Sequence, residues 1–211
     1  FGTGFGFGFV MDGKLNLGDN SCVETFCLPH RDQPQYIVED GVAIRAVKRV
    51  YLELSGDERE LEPKDIYDIA KGLMEGNSEA AKQSFETLGR VAGNAMATAV
   101  TLMDGLIVIG GGLAGASEFF MPALLDEMRG TIATMSGDKL SRVQMKIYNL
   151  DDEAEFKEFA GSNSRKIKVY GSDREVDYNI EKRIGVTISD IGASQAVSLG
   201  AYLYAIDNCD K

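Results

Sequence analysis

At 211 residues, 44% hydrophobic and 26% charged, the chain can bury a substantial core as one large globular domain or two small ones. Its net charge of −11 sets aside nucleic acid and anionic membrane surfaces as main partners, because both require a basic face. No apolar run reaches the roughly 20 residues of a spanning helix, and the three cysteines, Cys22, Cys27 and Cys209, fit reduced thiols in a cytoplasmic protein better than a disulfide framework.

The sequence opens on Phe1 rather than Met, directly on a glycine-rich run, and reads as a piece of a longer protein. From Gly2 to Val10 glycine alternates with aromatics, so at period two the glycines share one face and the aromatics the other. Asp12-Gly13 then suits the positive φ angles of a type I′ turn and predicts a hairpin. A strand with a smooth face needs something packed close to it. Either a phosphate lies on the Gly2-Thr3-Gly4 backbone, with the Thr3 hydroxyl as an added donor, or a neighbouring strand does.

An irregular polar segment follows from Gly18 to Pro34. Cys22, Cys27 and His30 are three potential metal ligands there, but their spacing is not that of a zinc knuckle and no fourth ligand is near, so no metal is expected. Val42 to Leu54 has helical spacing, with Glu39 and Asp40 at its start, where negative charge is favourable by roughly 0.3–1 kcal/mol. Glu39 is then either a plain helix-end charge or a carboxylate placed to hydrogen-bond a polyhydroxyl ligand. A second helix begins near Glu62-Pro63, and a long one runs from about Ser78 to Met103, with Phe85, Leu88, Ala92, Ala95, Met96 and Ala99 as its apolar stripe. Gly89, Gly93 and Ala97 form a shallow face suited to close helix packing.

Leu106 to Ile109 reads as a fully buried strand running into Gly110-Gly111-Gly112. Such a loop is either a tight strand-to-helix turn or a place where a ligand approaches the backbone closely. Ser117 to Arg129 is the next predicted helix, and the order helix, strand, glycine loop, helix is that of an α/β layer fold. Val143–Tyr148 reads as a strand, Asp151-Asp152-Glu153 as a solvated loop or helix start, and 165–170 with 175–179 as a hairpin. Gly192 to Ala205 predicts a small-residue helix that must pack closely on something.

Together these pieces resemble the second half of the ROK (repressor, open reading frame, kinase) family of sugar kinases, its glucokinase-like members in particular. The resemblance rests on Gly2-Thr3-Gly4 with the Asp12-Gly13-Lys14-Leu15 hairpin, on the long helix leading to Ile107-Val108-Ile109-Gly110-Gly111-Gly112-Leu113, and on the closing helix. It implies a ribonuclease H-like, actin-like ATPase fold: one C-terminal lobe over 1–211, a mixed sheet flanked by helices, with an added hairpin at about 151–183. ATP with Mg²⁺ is the implied cofactor pair, its phosphates on Gly2, Thr3 and Gly4 and its nucleoside at Gly110, Gly111 and Gly112. Glu24, His30 and Glu39 match the family's sugar-binding positions, although Cys27 stands where its histidine is expected. Arg31 to Val38 lacks the family's zinc-binding cysteines.

The implied activity is ATP-dependent phosphorylation of a hexose hydroxyl, with a homodimer as the working form. The family's catalytic aspartate belongs to the N-terminal half, so this chain carries no catalytic residue and is expected to be inactive alone. The alternatives are the sugar-sensing lobe of a ROK-type repressor, whose DNA-binding helices would lie elsewhere, and a non-catalytic dimerisation lobe.

Overall fold

The computed structural model describes residues 1–19, 24–161 and 164–209. The opening segment bends at Thr3 and Gly4 and then runs on to a strand, with Phe5 buried, Phe1, Phe7 and Phe9 half-buried, and Gly4, Gly6 and Gly8 exposed. The aromatic rings form a ladder, with centroids 5.8 Å apart for Phe1 and Phe5, 5.3 Å for Phe5 and Phe7 and 6.2 Å for Phe7 and Phe9. Only the end of this segment is paired: β1 (Phe9–Met11) meets β2 (Lys14–Asn16) antiparallel around Asp12 and Gly13, whose φ angles of 51° and 74° are those of the expected turn.

The helix expected after Glu39 is two helices. A single turn, α1 (Glu39–Val42), stops at Ala43, whose ψ of 170° is extended, and α2 (Ile44–Ser55) runs on to a left-handed Gly56. The break turns the Ile44 N–H away from the helix and onto the Gly2 carbonyl at 2.8 Å, tying the opening loop to α2. Next, α3 (Pro63–Ala70) starts with Pro in its first turn and a reciprocal capping box between Glu62 and Asp65. The long helix α4 (Ser78–Leu102) is capped by Asn77, whose side chain accepts from Ala80 N.

The main sheet has three strands, β3 (Ile107–Ile109), β6 (Lys146–Asn149) and β9 (Arg183–Ile188). Their order is β3-β9-β6, and both pairings are parallel. Between β3 and β6 come α5 (Ser117–Arg129) and a small hairpin, β4 (Thr131–Ala133) with β5 (Lys139–Ser141). After β6 come α6 (Glu153–Ala160), capped by Asp152, and the hairpin β7 (Arg165–Lys168) with β8 (Glu175–Tyr178). Neither β9, the central strand, nor the β4–β5 hairpin is among the elements predicted from sequence.

The core is centred on α4 against α5. Phe85, Leu88, Phe120, Leu124 and Met128 are fully buried, each contributing about 1.5–3 kcal/mol relative to exposure. The shallow face of α4 packs as expected: a Cβ on Gly89 or Gly93 would sit well under 3.0 Å from the backbone carbonyl oxygen of Phe120 or Leu124.

Two expectations fail. The strand read as fully buried leaves Leu106 58% and Val108 57% exposed, because β3 lies at one edge of its sheet. The closing helix, α7 (Ala193–Cys209), forms, but Val197, Tyr202, Leu203 and Tyr204 are all more than half exposed. The surface it would bury is not supplied by the described residues.

Candidate functional site

The two glycine loops meet. The Phe1 amine donates to the Gly110 carbonyl at 2.5 Å, and Leu113 N–H donates back to the Phe1 carbonyl at 3.1 Å. Gly111 is held between them at φ 103°, and a Cβ there would collide with the backbone of Phe1, so this glycine answers to packing. Gly112 differs: it is exposed, and a Cβ on it would meet nothing within 4 Å. A Cβ on Gly2 would stand 4.0 Å from Gly112 N, which puts the opening loop and the triple-glycine loop side by side.

Within this paired loop the Gly2 N–H turns to the Gly4 carbonyl at 3.2 Å. The N–H groups of Thr3, Gly4 and Gly112 find no acceptor among the described residues, and all three residues are exposed. Free backbone donors on glycine-rich turns can receive anionic oxygens without side chains in the way.

The segments that carry the candidate carboxylates are both anchored to the opening segment, Glu39 by its own carboxylate and Glu24 through its neighbour Thr25. Glu39 Oε2 accepts from Phe5 N–H at 2.9 Å, and Oε1 accepts from Arg45 at 2.9 Å. The Phe5 amide, then the Arg45 guanidinium, hold its carboxyl below the usual carboxylate range. A Cβ on Gly4 would reach Glu39 Oε2 at 3.0 Å, so glycine at that position lets the carboxylate approach. Glu24 is exposed and precedes a short 3₁₀ turn, Thr25–Cys27, whose Thr25 Oγ1 accepts from Phe7 N–H at 3.0 Å. Two bonds from alternate residues, Phe5 and Phe7, thus fix the segments that carry Glu24 and Glu39.

His30 stands apart from the glycine loops. It is buried and lines a second cavity of about 490 Å³ with Gly41, Arg49 and Arg90 among others. Its Nδ1 accepts from Asp32 N–H at 3.2 Å, and burial lowers its pKa. A Cβ on Gly41 would stand 2.5 Å from His30 Nε2, so the ring packs against the backbone of α1, two residues from Glu39. Cys22 lies outside the described residues; Cys27 is exposed, and its thiol donates to the Glu24 carbonyl at 2.8 Å. Among the described residues no cluster of three or more His, Cys, Asp or Glu is arranged to hold a metal.

Sequence reasoning missed the partners that make this geometry: Thr25, Arg45, the Ile44 N–H and the Phe1 backbone. Arg45 lies six residues beyond Glu39, a spacing that no continuous helix brings together. Only the break at Ala43, itself unmarked by Gly or Pro, makes the pair.

No family model and no curated protein matches the chain. Solved structures do. The glucokinase of Parabacteroides distasonis superposes with a TM-score of 0.88 at 47% identity, over 98% of this chain and 56% of its own. A ROK family glucokinase from Streptomyces griseus, in complex with glucose and AMPPNP, matches 61% of this chain and 47% of its own at 24% identity and a TM-score of 0.49. A ROK hexokinase from Thermus thermophilus matches 60% of this chain and 45% of its own, at 21% identity and a TM-score of 0.48. The chain therefore spans little more than half the length of the first of these proteins. With nearly half its residues shared along almost its entire length, this chain is similar to a segment of a glucokinase.

Proposed function

We propose that these residues form the nucleotide- and sugar-binding lobe of an ATP-dependent hexose kinase. The observation that carries this reading is the meeting of the Gly2–Gly4 and Gly110–Gly112 loops, beside which three backbone N–H groups find no acceptor among the described residues. Thr3 and Gly4 would donate to the phosphates, with the Thr3 hydroxyl beside them. Gly112 would offer its open backbone to the nucleoside end, while Gly110 and Gly111 hold the loop in place against Phe1. Glu39 and Glu24 would accept hydrogen bonds from sugar hydroxyls, and His30 would support Glu39 through its packing on α1.

Phosphoryl transfer depends mainly on positioning and charge stabilisation, with Mg²⁺ arriving alongside ATP to neutralise phosphate charge. This lobe's own part is to bind and orient. The carboxylate that takes the proton of the attacking hydroxyl is assigned to the remainder of the glucokinase-length protein. On this reading the 151–183 segment, which the structure forms as α6 followed by the β7–β8 hairpin and not as a hairpin alone, is an addition to a single lobe, the working enzyme is a cytoplasmic homodimer, and the lobe touches neither DNA nor membrane. Among the described residues no helix is long and apolar enough to cross a bilayer.

The test is formation of sugar phosphate by the glucokinase-length protein with Mg·ATP across a hexose panel, glucose included. Product with at least one hexose is expected, and none from the 211-residue chain alone. No product from the longer protein with any hexose would overturn the kinase reading and favour a sugar-sensing role.

A further inference from the structure

The cavity that His30 lines, of about 490 Å³, shares no lining residue with the glycine loops and is within the size range of small-molecule sites. Two polar stripes border it. Arg49 and Glu53, four residues apart, lie on one face of α2, and Gln83, Glu86 and Arg90, spaced by three and four, lie on one face of α4. Three donors along this cleft are underused. Arg90 has one hydrogen bond among the described residues, a long one to Thr87 Oγ1 at 3.4 Å. Arg49 donates to the Asp40 carbonyl at 2.9 Å and stands 3.9 Å from Glu53, which leaves most of its N–H groups without an acceptor there. His30 Nδ1 accepts from Asp32 N–H, so the proton of the neutral ring sits on Nε2, which finds no acceptor among the described residues. Only 8% of His30 is exposed. Yet Nε2 is not sealed, because Asn179 Nδ2 is the one sealed, unpaired side-chain polar atom among those residues. It therefore opens to the cleft that the ring lines. Burial lowers the pKa of His30, Asp32 and Asp40 raise it, and the Arg49 charge lowers it further, so that guanidinium lies within electrostatic reach of the ring.

Guanidinium groups and an imidazole N–H suit a compact oxyanion. Glu53 and Glu86, on the same two stripes, would repel a ligand that is anionic throughout, but they accept readily from hydroxyl groups. Neither Phe nor Tyr lines the cleft, so a nucleobase has no ring to stack on. We propose that the cleft is a second binding site, for a sugar phosphate, with the phosphate on Arg49, Arg90 and the His30 N–H and the hydroxyls on Glu53 and Glu86. Sugar phosphate is the product class of the reaction proposed above, but the site rests on this cleft and not on that reading. His30 packs against Gly41 of α1, the helix that begins with Glu39, so an occupant of the cleft bears on the element that carries the sugar-binding carboxylate.

The test is a titration of the glucokinase-length protein with glucose 6-phosphate, without nucleotide, followed by NMR of the His30 imidazole. Its signal is identified by its loss in His30→Gln. A saturable shift of that signal is expected, with affinity at least about tenfold weaker in Arg90→Gln, a change at an exposed position that should leave the circular dichroism melt as it was. Absence of the shift, or a shift of equal affinity in Arg90→Gln, would overturn the proposal. In Glu39→Gln the shift should persist; its disappearance would assign the binding to the sugar site near the glycine loops and overturn the second site. Inorganic phosphate alone should move the same signal with lower affinity, and equal affinity for the two probes would refute the hydroxyl contacts to Glu53 and Glu86. Phosphoryl transfer plays no part in these measurements, so failure here leaves the kinase reading standing, and failure of that reading leaves this site standing.

Discussion

Gly111 and Gly112 are chemically identical neighbours that the structure separates by role, and alanine at each should expose the difference. Gly111 has a φ of 103°, a region that costs an L-residue about 1–3 kcal/mol. An alanine Cβ there would also fall under 3.0 Å from Phe1 backbone atoms, which have no rotamer by which to escape. Such overpacking adds about 1–3 kcal/mol. The sum, about 2–6 kcal/mol, is a large share of the roughly 5–15 kcal/mol that holds a domain folded. At roughly 2–4 °C per kcal/mol for a chain of this size, thermal unfolding of Gly111→Ala should occur at least about 4 °C lower. Gly112→Ala meets nothing within 4 Å and should stay within about 0.5 kcal/mol of the parent. Circular dichroism melts of the three proteins decide the matter. Equal melting of the two variants would refute the assignment of Gly111 to packing and Gly112 to open space.

Gly89→Ala should destabilise by up to about 2 kcal/mol in urea unfolding, overpacking of about 1–3 kcal/mol against the Phe120 carbonyl set against the roughly 1 kcal/mol gain in helix propensity. Gly200→Ala, in α7 with open space around it, should be neutral or stabilising by up to about 1 kcal/mol in the same assay. His30 is the single histidine, and burial lowers its pKa below the ordinary 6.5. The unfolded chain takes up that proton first, so stability is fullest above pH 6.5 and declines as pH falls toward the folded value. Urea midpoints at pH 7.5 and 5.5 should show a smaller pH-dependent loss in His30→Gln; equal slopes would refute the point. Glu39 has the other common sign, its pKa lowered from 4.5 by the Phe5 amide and Arg45, so its contribution is present above 4.5 and is lost as pH falls through the lower folded value. Glu39→Gln should flatten that acid limb.

Much of the architecture is legible in local pattern. The Asp12-Gly13 turn, the start of α4 at Ser78 and the shallow face at Gly89 and Gly93 each follow from residues within a few positions of one another. What escaped depends on distant partners. β9 is the centre of the main sheet, yet Arg183–Ile188 follows a hairpin and carries Gly185 in its middle, and only β3 and β6 on either side make it a strand. The break at Ala43 escaped because its reward, an Ile44 N–H on the Gly2 carbonyl, links residues more than forty positions apart. The β-branched Ile107-Val108-Ile109 run does read as a strand, but apolarity alone cannot show that one edge of it lacks a neighbour. At the site, the glycine loops and Glu39 were visible in sequence, whereas Arg45 and Thr25 became so only through the fold.

The proposal that nucleotide lies on the open glycine backbone is tested most directly at Gly112. A Cβ there meets nothing within 4 Å, and the valine methyl groups beyond it project into the space assigned to the nucleoside end. Isothermal titration of the glucokinase-length protein with Mg·AMPPNP should show affinity falling at least about tenfold in Gly112→Val, equivalent to about 1.4 kcal/mol, with the melting temperature unchanged. Gly171→Asn, a substitution in the distant β7–β8 turn, should leave affinity as it was. Undiminished binding by a folded Gly112→Val protein would contradict the placement of nucleotide on these loops.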